Sequence, residues 1–217
     1  MKHLDDFQIA EALRPYYTQN LSASFYDQVR SYIDLLLRWN RRMSLTTVTD
    51  PLHILRFHFG ESLFAISQVA IRHGRLADVG SGAGFPAVPV RMALEDVHVT
   101  LIESNRKKSA FLSEVTRELS LTNVDVLPSR MEDMKEQQLD FDYVTARAVA
   151  IDDAFLRWAS SSLKLGGTIV LWLGQDDSTI ITLSEGFNWH PVVKIPYSER
   201  RVLLMGTNPD TPSRRST

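Results

Sequence analysis

The chain contains no cysteine. That excludes a disulfide framework, a thiolate zinc site and a cysteine-ligated iron–sulfur cluster, and no metal site is expected. It also removes the thiolate from the candidate nucleophiles. No run approaches the roughly 18 apolar residues of a membrane-spanning helix. Met1-Lys2-His3-Leu4-Asp5-Asp6 lacks the apolar stretch of a secretory leader, so a cytoplasmic location without membrane contact is the default expectation. Charge nearly balances: 24 Lys and Arg against 26 Asp and Glu leave −2. No global field draws such a chain to nucleic acid, and any such contact must rest on a local patch. There is no G-x-x-x-x-G-K-[ST] phosphate loop and no internal repeat.

Against these absences stands Asp78-Val79-Gly80-Ser81-Gly82-Ala83-Gly84-Phe85-Pro86. It follows the apolar Arg75-Leu76-Ala77 and precedes the helical pattern Ala87–Leu94. A strand, a glycine turn and a helix start together offer backbone N–H donors to a polar ligand, and glycine admits both positive φ and close ligand approach. Such a unit carries an acid about 20 residues further on, at the end of the next strand, to hold ribose hydroxyls. Val97-His98-Val99-Thr100-Leu101-Ile102-Glu103 supplies it. A dinucleotide fingerprint needs glycine at its sixth position, and Phe85 stands there. The turn with its two acids resembles instead the S-adenosylmethionine turn of Rossmann-like methyltransferases. Gly80, Gly82, Gly84 and Glu103 are the cofactor residues this implies.

With 217 residues, 44% of them hydrophobic, the chain suits one α/β domain carrying a helical extension. Residues 1–72 read as that extension, packed on the main domain. Ser22-Ala23-Ser24 offers caps, Phe25, Val29, Ile33, Leu36 and Leu37 recur at helical spacing, and Asp50-Pro51 opens a helix through about Ile71. From 73 to 206 the pattern alternates. Strands are expected near 75–79, 97–102, 124–127, 141–145, 167–173, 189–195 and 200–206, and helices over Asn105–Leu119 and Asp152–Leu163. This predicts an α/β fold with a Rossmann-like, seven-stranded, mostly parallel sheet. Its last two strands form a hairpin around Pro196-Tyr197-Ser198-Glu199, with an antiparallel edge. Residues 207–217 are polar and expected as a disordered tail.

In an open α/β sheet the ligand sits beyond the carboxyl ends of the strands, at the switch point. Gly80, Glu103, Met131-Glu132 and Arg147 should therefore ring one crevice. Glu132 can accept from an adenine amine or simply cap a helix start. Arg147 can grip a carboxylate or stand as a surface charge.

These residues resemble one family, the ribosomal RNA small-subunit methyltransferase G (glucose-inhibited division protein B) family. Leu37-Arg38-Trp39-Asn40, Leu45-Thr46 and Asp50-Pro51 are similar to its W-N-x-x-x-N-L-T…D-P segment. Asp78–Pro89 is similar to its D-V-G-[ST]-G-x-G-x-P-G-[IV]-P turn, Glu103–Leu112 to E-S-x-x-K-x-x-F-L, and Arg147-Ala148 to the end of S-R-A. The resemblance implies a class I S-adenosylmethionine-dependent methyltransferase acting at N7 of a guanine in 16S ribosomal RNA. It implies Gly80, Phe85, Met131, Glu132 and Arg147 at the cofactor. Departures cluster elsewhere. Ser44 replaces an asparagine, Phe57-His58-Phe59-Gly60-Glu61-Ser62 replaces R-H-x-x-D-S, and Ala87 replaces a glycine. Leu173 stands for the lysine of L-K-G, and Arg201 for the histidine of E-R-H.

Guanine N7 already carries a lone pair, so attack on a sulfonium methyl needs no general base, and no catalytic residue is assigned. Positioning and stabilisation of the developing cation suffice. Thr145-Ala146-Arg147-Ala148 stands where an amine methylase would carry Asn/Asp-Pro-Pro-Tyr/Phe. RNA would be held by local charge and aromatic stacking. Trp39 and Asn40 with Arg41 and Arg42 are the substrate candidates, and Arg106, Lys107 and Lys108 add a second basic cluster. Either cluster can equally be a helix cap or a solvated face, and His58 either a substrate contact or a packed core histidine. The expected partner is 16S ribosomal RNA or a 30S precursor, met by a monomer. The alternatives are another RNA or small-molecule acceptor, or a non-catalytic RNA-binding protein that keeps the cofactor pocket.

Overall fold

The computed structural model describes residues 4–134, 139–182 and 184–209. Five parallel strands come first: β1 (Gly74–Val79), β2 (Val97–Ile102), β3 (Val124–Leu127), β4 (Phe141–Arg147) and β5 (Leu163–Gly174). Three antiparallel ones follow: β6 (Asn188–Trp189), β7 (Val193–Lys194) and β8 (Arg201–Thr207). The order is β3-β2-β1-β4-β5-β8-β6, with β7 also on β8. The sequence expectation of seven strands meets eight because the sixth is split. Pro191 falls between β6 and β7, and a proline has no N–H to give the ladder.

Helices α1 (Asp6–Leu13), α2 (Ala23–Asn40), α3 (Pro51–Ile54) and α4 (Glu61–Val69) precede the sheet. Each of the first three starts on a side-chain cap: Asp5, Ser22 and Asp50 accept from Gln8, Phe25 and His53 amides. The helix expected from Asp50 to Ile71 is not uniform. Residues Leu55–Gly60 widen into a π-turn between α3 and α4, an irregularity often found at functional sites. The later helices are α5 (Ala87–Ala93), α6 (Arg106–Glu118), α7 (Asp153–Ser162) and α8 (Gln175–Ile181).

The largest apolar cluster joins the early helices to the sheet, and a smaller one packs Tyr16 and Ala65 on β5 and β8. Ile9, Leu13, Phe25, Leu36, Leu55 and Leu63 are buried together with Leu76, Val99, Phe111 and Leu112. Removing side chains of this size from water contributes about 1.5–3 kcal/mol each. Another cluster, around Phe141, Phe155 and Ile169, fills the opposite side.

Regular structure continues past the boundary expected at 206. Thr207 still belongs to β8, and Asn208 is 5% exposed. The Asn208 amide donates to the carbonyls of Ser160, Leu163 and Lys164 at 3.1, 3.1 and 3.2 Å, a role that polarity alone does not announce. Residues 210–217 of the expected tail lie outside the described residues, as do residues 1–3.

Candidate functional site

Strand register builds the site. Val79 lies opposite both Ile102 and Ala146, so the turn after β1, Glu103 after β2 and Arg147 at the end of β4 emerge along one edge. β1 has β2 on one side and β4 on the other, which is the switch point where ligands of such sheets bind.

Gly80, Gly82 and Gly84 all have positive φ, at 68°, 55° and 86°. A Cβ on Gly80 would lie 2.3 Å from the Val149 side chain, a contact real atoms do not make. A Cβ on Gly82 would meet only the Gly80 carbonyl, at 3.6 Å, so that side of its backbone borders open space. The Gly82 amide donates to Glu103 Oε2 at 2.9 Å and the Asn105 amide to Glu103 Oε1 at 2.7 Å. Glu103, 6% exposed, thus ties the turn to the next strand end, and each oxygen keeps a second lone pair.

A crevice of about 310 Å³ opens beside the turn, lined by Gly80, Ser104, Met131, Glu132, Val149 and Phe155 among others. That is the lower range of small-molecule sites, about 300–1,000 Å³. It gathers Gly80, Met131 and Glu132 as the sequence implied. Phe85 and Arg147 are held differently. The Phe85 ring is 7% exposed and stacks between His58 (4.7 Å, 19°) and Tyr32 (5.2 Å, 8°), with Phe59 edge-on. The Tyr32 hydroxyl donates to the Ala83 carbonyl, fixing the turn from beneath.

Arg147 donates to the Phe57 carbonyl at 2.8 Å and pairs with Glu61 at 3.0 Å. The carboxylate it grips is the chain's own. Arg201 takes the other Glu61 oxygen at 2.6 Å while its guanidinium lies 4.9 Å from the Phe57 ring centre. Burial pushes the Glu61 carboxyl up, against the pull of both guanidiniums, and burial pulls Arg147 down. Three separate departures, Phe57, Glu61 and Arg201, therefore meet at one ion-pair cluster. Spacing along the chain could not have shown that, since Phe57 and Arg201 stand on different elements.

Asp78, the acid before the turn, is a residue that the glycine spacing does not single out. It is 1% exposed. Thr145 donates to Oδ1 at 2.7 Å, and Oδ2 is buried with no hydrogen-bond partner among the described residues. Desolvation raises its pKa to about 7, with the Thr145 hydrogen bond opposing. A buried carboxyl oxygen left open costs free energy unless a ligand donor meets it.

Asn40 and His58 serve the fold. The Asn40 amide donates to the Thr46 carbonyl at 2.9 Å, while its oxygen accepts from the Leu45 and Thr46 amides at 2.8 and 3.0 Å. Thr46 Oγ1 lies 2.9 Å from His58 Nε2. Desolvation first, then Arg147 and Arg201, lower the His58 pKa to about 3, so it is neutral at physiological pH. The W-N…L-T segment thus clamps the loop that carries the support for Phe85. Trp39 instead lines a separate cavity of about 770 Å³, together with Arg38, Arg41, Arg42, Arg106 and Lys107. The structure brings the two expected basic clusters together there. Among the described residues, no three His, Cys, Asp or Glu side chains group as metal ligands, and no helix is long and apolar enough to cross a membrane.

Comparison with known proteins shows the family and the fold. Residues 26–186 match the family model described as rRNA small subunit methyltransferase G. A relative named Ribosomal RNA small subunit methyltransferase G from Alkaliphilus oremlandii is 38% identical over 152 residues, covering 68% of this chain and 64% of its own length. One of the same name from Desulfitobacterium hafniense is 40% identical over 150 residues, covering 68% and 62%. The chain thus spans a little under two thirds of these relatives. A SAM dependent methyltransferase from Aquifex aeolicus superposes with a TM-score of 0.61 over 79% of this chain and 98% of its own, at 16% identity. That likeness shows the fold, a class I methyltransferase α/β sheet.

Proposed function

Because the chain belongs to the rRNA small subunit methyltransferase G family, we propose that it transfers a methyl group from S-adenosylmethionine to N7 of a guanine in 16S ribosomal RNA. The observation that carries this reading is the crevice at the switch point, lined by Gly80, Ser104 and Met131-Glu132, beside the turn that Glu103 ties down through the Gly82 amide. The residues present fit the cofactor. The Gly82 backbone borders open space, Glu103 keeps lone pairs for a ribose diol, and the unpartnered Asp78 oxygen suits a cationic donor. S-adenosylmethionine supplies, when bound, a methyl electrophile on a sulfonium.

The chain's part is to hold and orient. Glu103 and Tyr32 fix the turn before any ligand arrives, so little ordering remains to oppose binding. Neutral His58 and the Phe85 stack contribute rigidity and transfer no proton. A base with a free lone pair needs placement rather than deprotonation, which accords with a site that offers no nucleophile–base pair. Trp39, Arg41 and Arg42 contact the RNA, the enzyme acts as a monomer, and its place is the cytoplasm. Mass mapping of 16S RNA from a strain lacking the gene should show one N7-methylguanine missing, restored on complementation. An unchanged modification profile rejects this reading.

A further inference from the structure

The 770 Å³ cavity lies apart from the crevice just described. Its walls are the C-terminal end of α2 (Arg38, Trp39), the residues after it (Arg41, Arg42, Met43) and the first turns of α6 (Arg106, Lys107, Ala110, Glu114). Five cations face one acid, and that acid is engaged: the Trp39 indole N–H donates to Glu114 at 3.1 Å. With its polar handle satisfied, Trp39 is left to offer the cavity ring carbon. The ring is held edge-on by Phe111 at 5.6 Å. Arg38, Arg41, Arg42, Arg106 and Lys107 are exposed, on a chain whose net charge is −2. The patch is therefore local and runs against the sign of the whole molecule.

We propose that this cavity is a second nucleotide site, which takes an unpaired nucleotide of the RNA strand with its phosphates on the arginines and its base against Trp39. The proposal rests on the functional reading above and extends it to how the substrate is held. An aromatic surface ringed by Arg and Lys is the chemistry that binds single-stranded nucleic acid, base stacking contributing about 1–3 kcal/mol per base. A walled cavity favours an unstacked strand over a duplex, whose bases are not free to enter it. Position supports RNA over a free nucleotide. Ser104 lines the crevice and Arg106 lines this cavity, so only the start of α6 separates the two mouths, and one strand can cross it.

The test is fluorescence anisotropy with a short labelled single-stranded oligoribonucleotide, a duplex of the same length and a free mononucleotide as competitor, across a salt series. Arg41→Glu and Arg106→Glu stand on opposite walls. A third reversal, Lys194→Glu, makes the same charge change at an exposed position on β7. All three side chains are exposed, so none of the reversals opens a core. The wild type should prefer the single strand. Each cavity reversal should weaken it about tenfold and flatten the salt slope by roughly one unit, with Lys194→Glu near wild type. Equal loss in all three variants, equal affinity for the duplex, or a mononucleotide that binds as tightly as the strand would overturn the proposal. A wild type that binds the strand through this cavity yet methylates no RNA retains the second site and sinks only the functional reading.

Discussion

Arg201 stands where the family resemblance leads one to expect histidine, and Phe57 where it leads one to expect arginine. In space the Arg201 guanidinium lies over the Phe57 ring and on Glu61. The charge missing at 57 is supplied from β8. A buried carboxylate stripped of one cation is costly, though less so here because the Arg201 side chain is 36% exposed. Arg201→His should lower stability by about 1–2 kcal/mol. Phe57→Arg alone should also destabilise, since it crowds three guanidiniums around one acid. Combined, the two changes should recover most of the loss. Thermal or urea denaturation of the four proteins tests this, and simple additivity of the two losses would show that the positions do not exchange roles.

At the scale of elements, the turn after β1 is held from both sides: Glu103 on β2's end binds the Gly82 amide, and Tyr32 on α2 binds the Ala83 carbonyl. Glu103→Ala should therefore do two things. It should lower affinity for the demethylated cofactor product by about 1.5–3 kcal/mol, and it should lower stability by freeing the Gly82 and Asn105 amides from their part-buried hydrogen bonds. Gly82→Val should abolish binding while leaving the core intact, because its cost is confined to backbone at positive φ and to the open space beside it. Calorimetry paired with a melting curve separates the two, and Glu103→Ala binding as tightly as wild type would reduce the acid to a structural tie. Much of this element was legible in the sequence, since glycine spacing and the acid after β2 are local signals. The four parallel-strand neighbours and the antiparallel edge were legible too, through alternation and the Pro196–Glu199 turn. The π-turn was not: Leu55–Gly60 keep a helical pattern, and the widening is visible only with Arg147 on the Phe57 carbonyl. Nor was the binding of Arg147 to Glu61, because the sequence reading offered it a cofactor and could not weigh a partner 86 residues away.

For the molecule as a whole, two buried groups set opposing pH dependences. Asp78, with a pKa raised to about 7, holds a proton in the folded state that the unfolded chain has released above about 4. Its contribution to stability is full below that value and is lost as pH rises toward 7. His58, lowered to about 3, stays neutral while the unfolded chain takes up a proton below about 6.5. Its contribution is full above that value and is lost as pH falls. Between about pH 4 and 6.5 the two slopes, each at most about 1.4 kcal/mol per pH unit, should largely cancel. Asp78→Asn should then leave stability climbing with pH across this window, and His58→Phe should leave it falling. Parallel curves for wild type and both variants in pH-resolved urea melts would contradict these environments.

The shared apolar cluster has a consequence for the order of events during synthesis. α2 leaves the ribosome early, yet Gln28 bonds the Leu119 carbonyl and Tyr32 the Ala83 carbonyl, partners 91 and 51 residues later. Arg147 and Phe57 are 90 apart. The first helices pack on one another, as Tyr32 does on Phe59, but their contacts with Val99, Phe111 and Leu112 wait until β2 and α6 have been made. Such long loops must close before they gain anything in return. The early helices therefore wait with part of their apolar stripe uncovered, and the cluster they share with the sheet closes only after α6 has emerged.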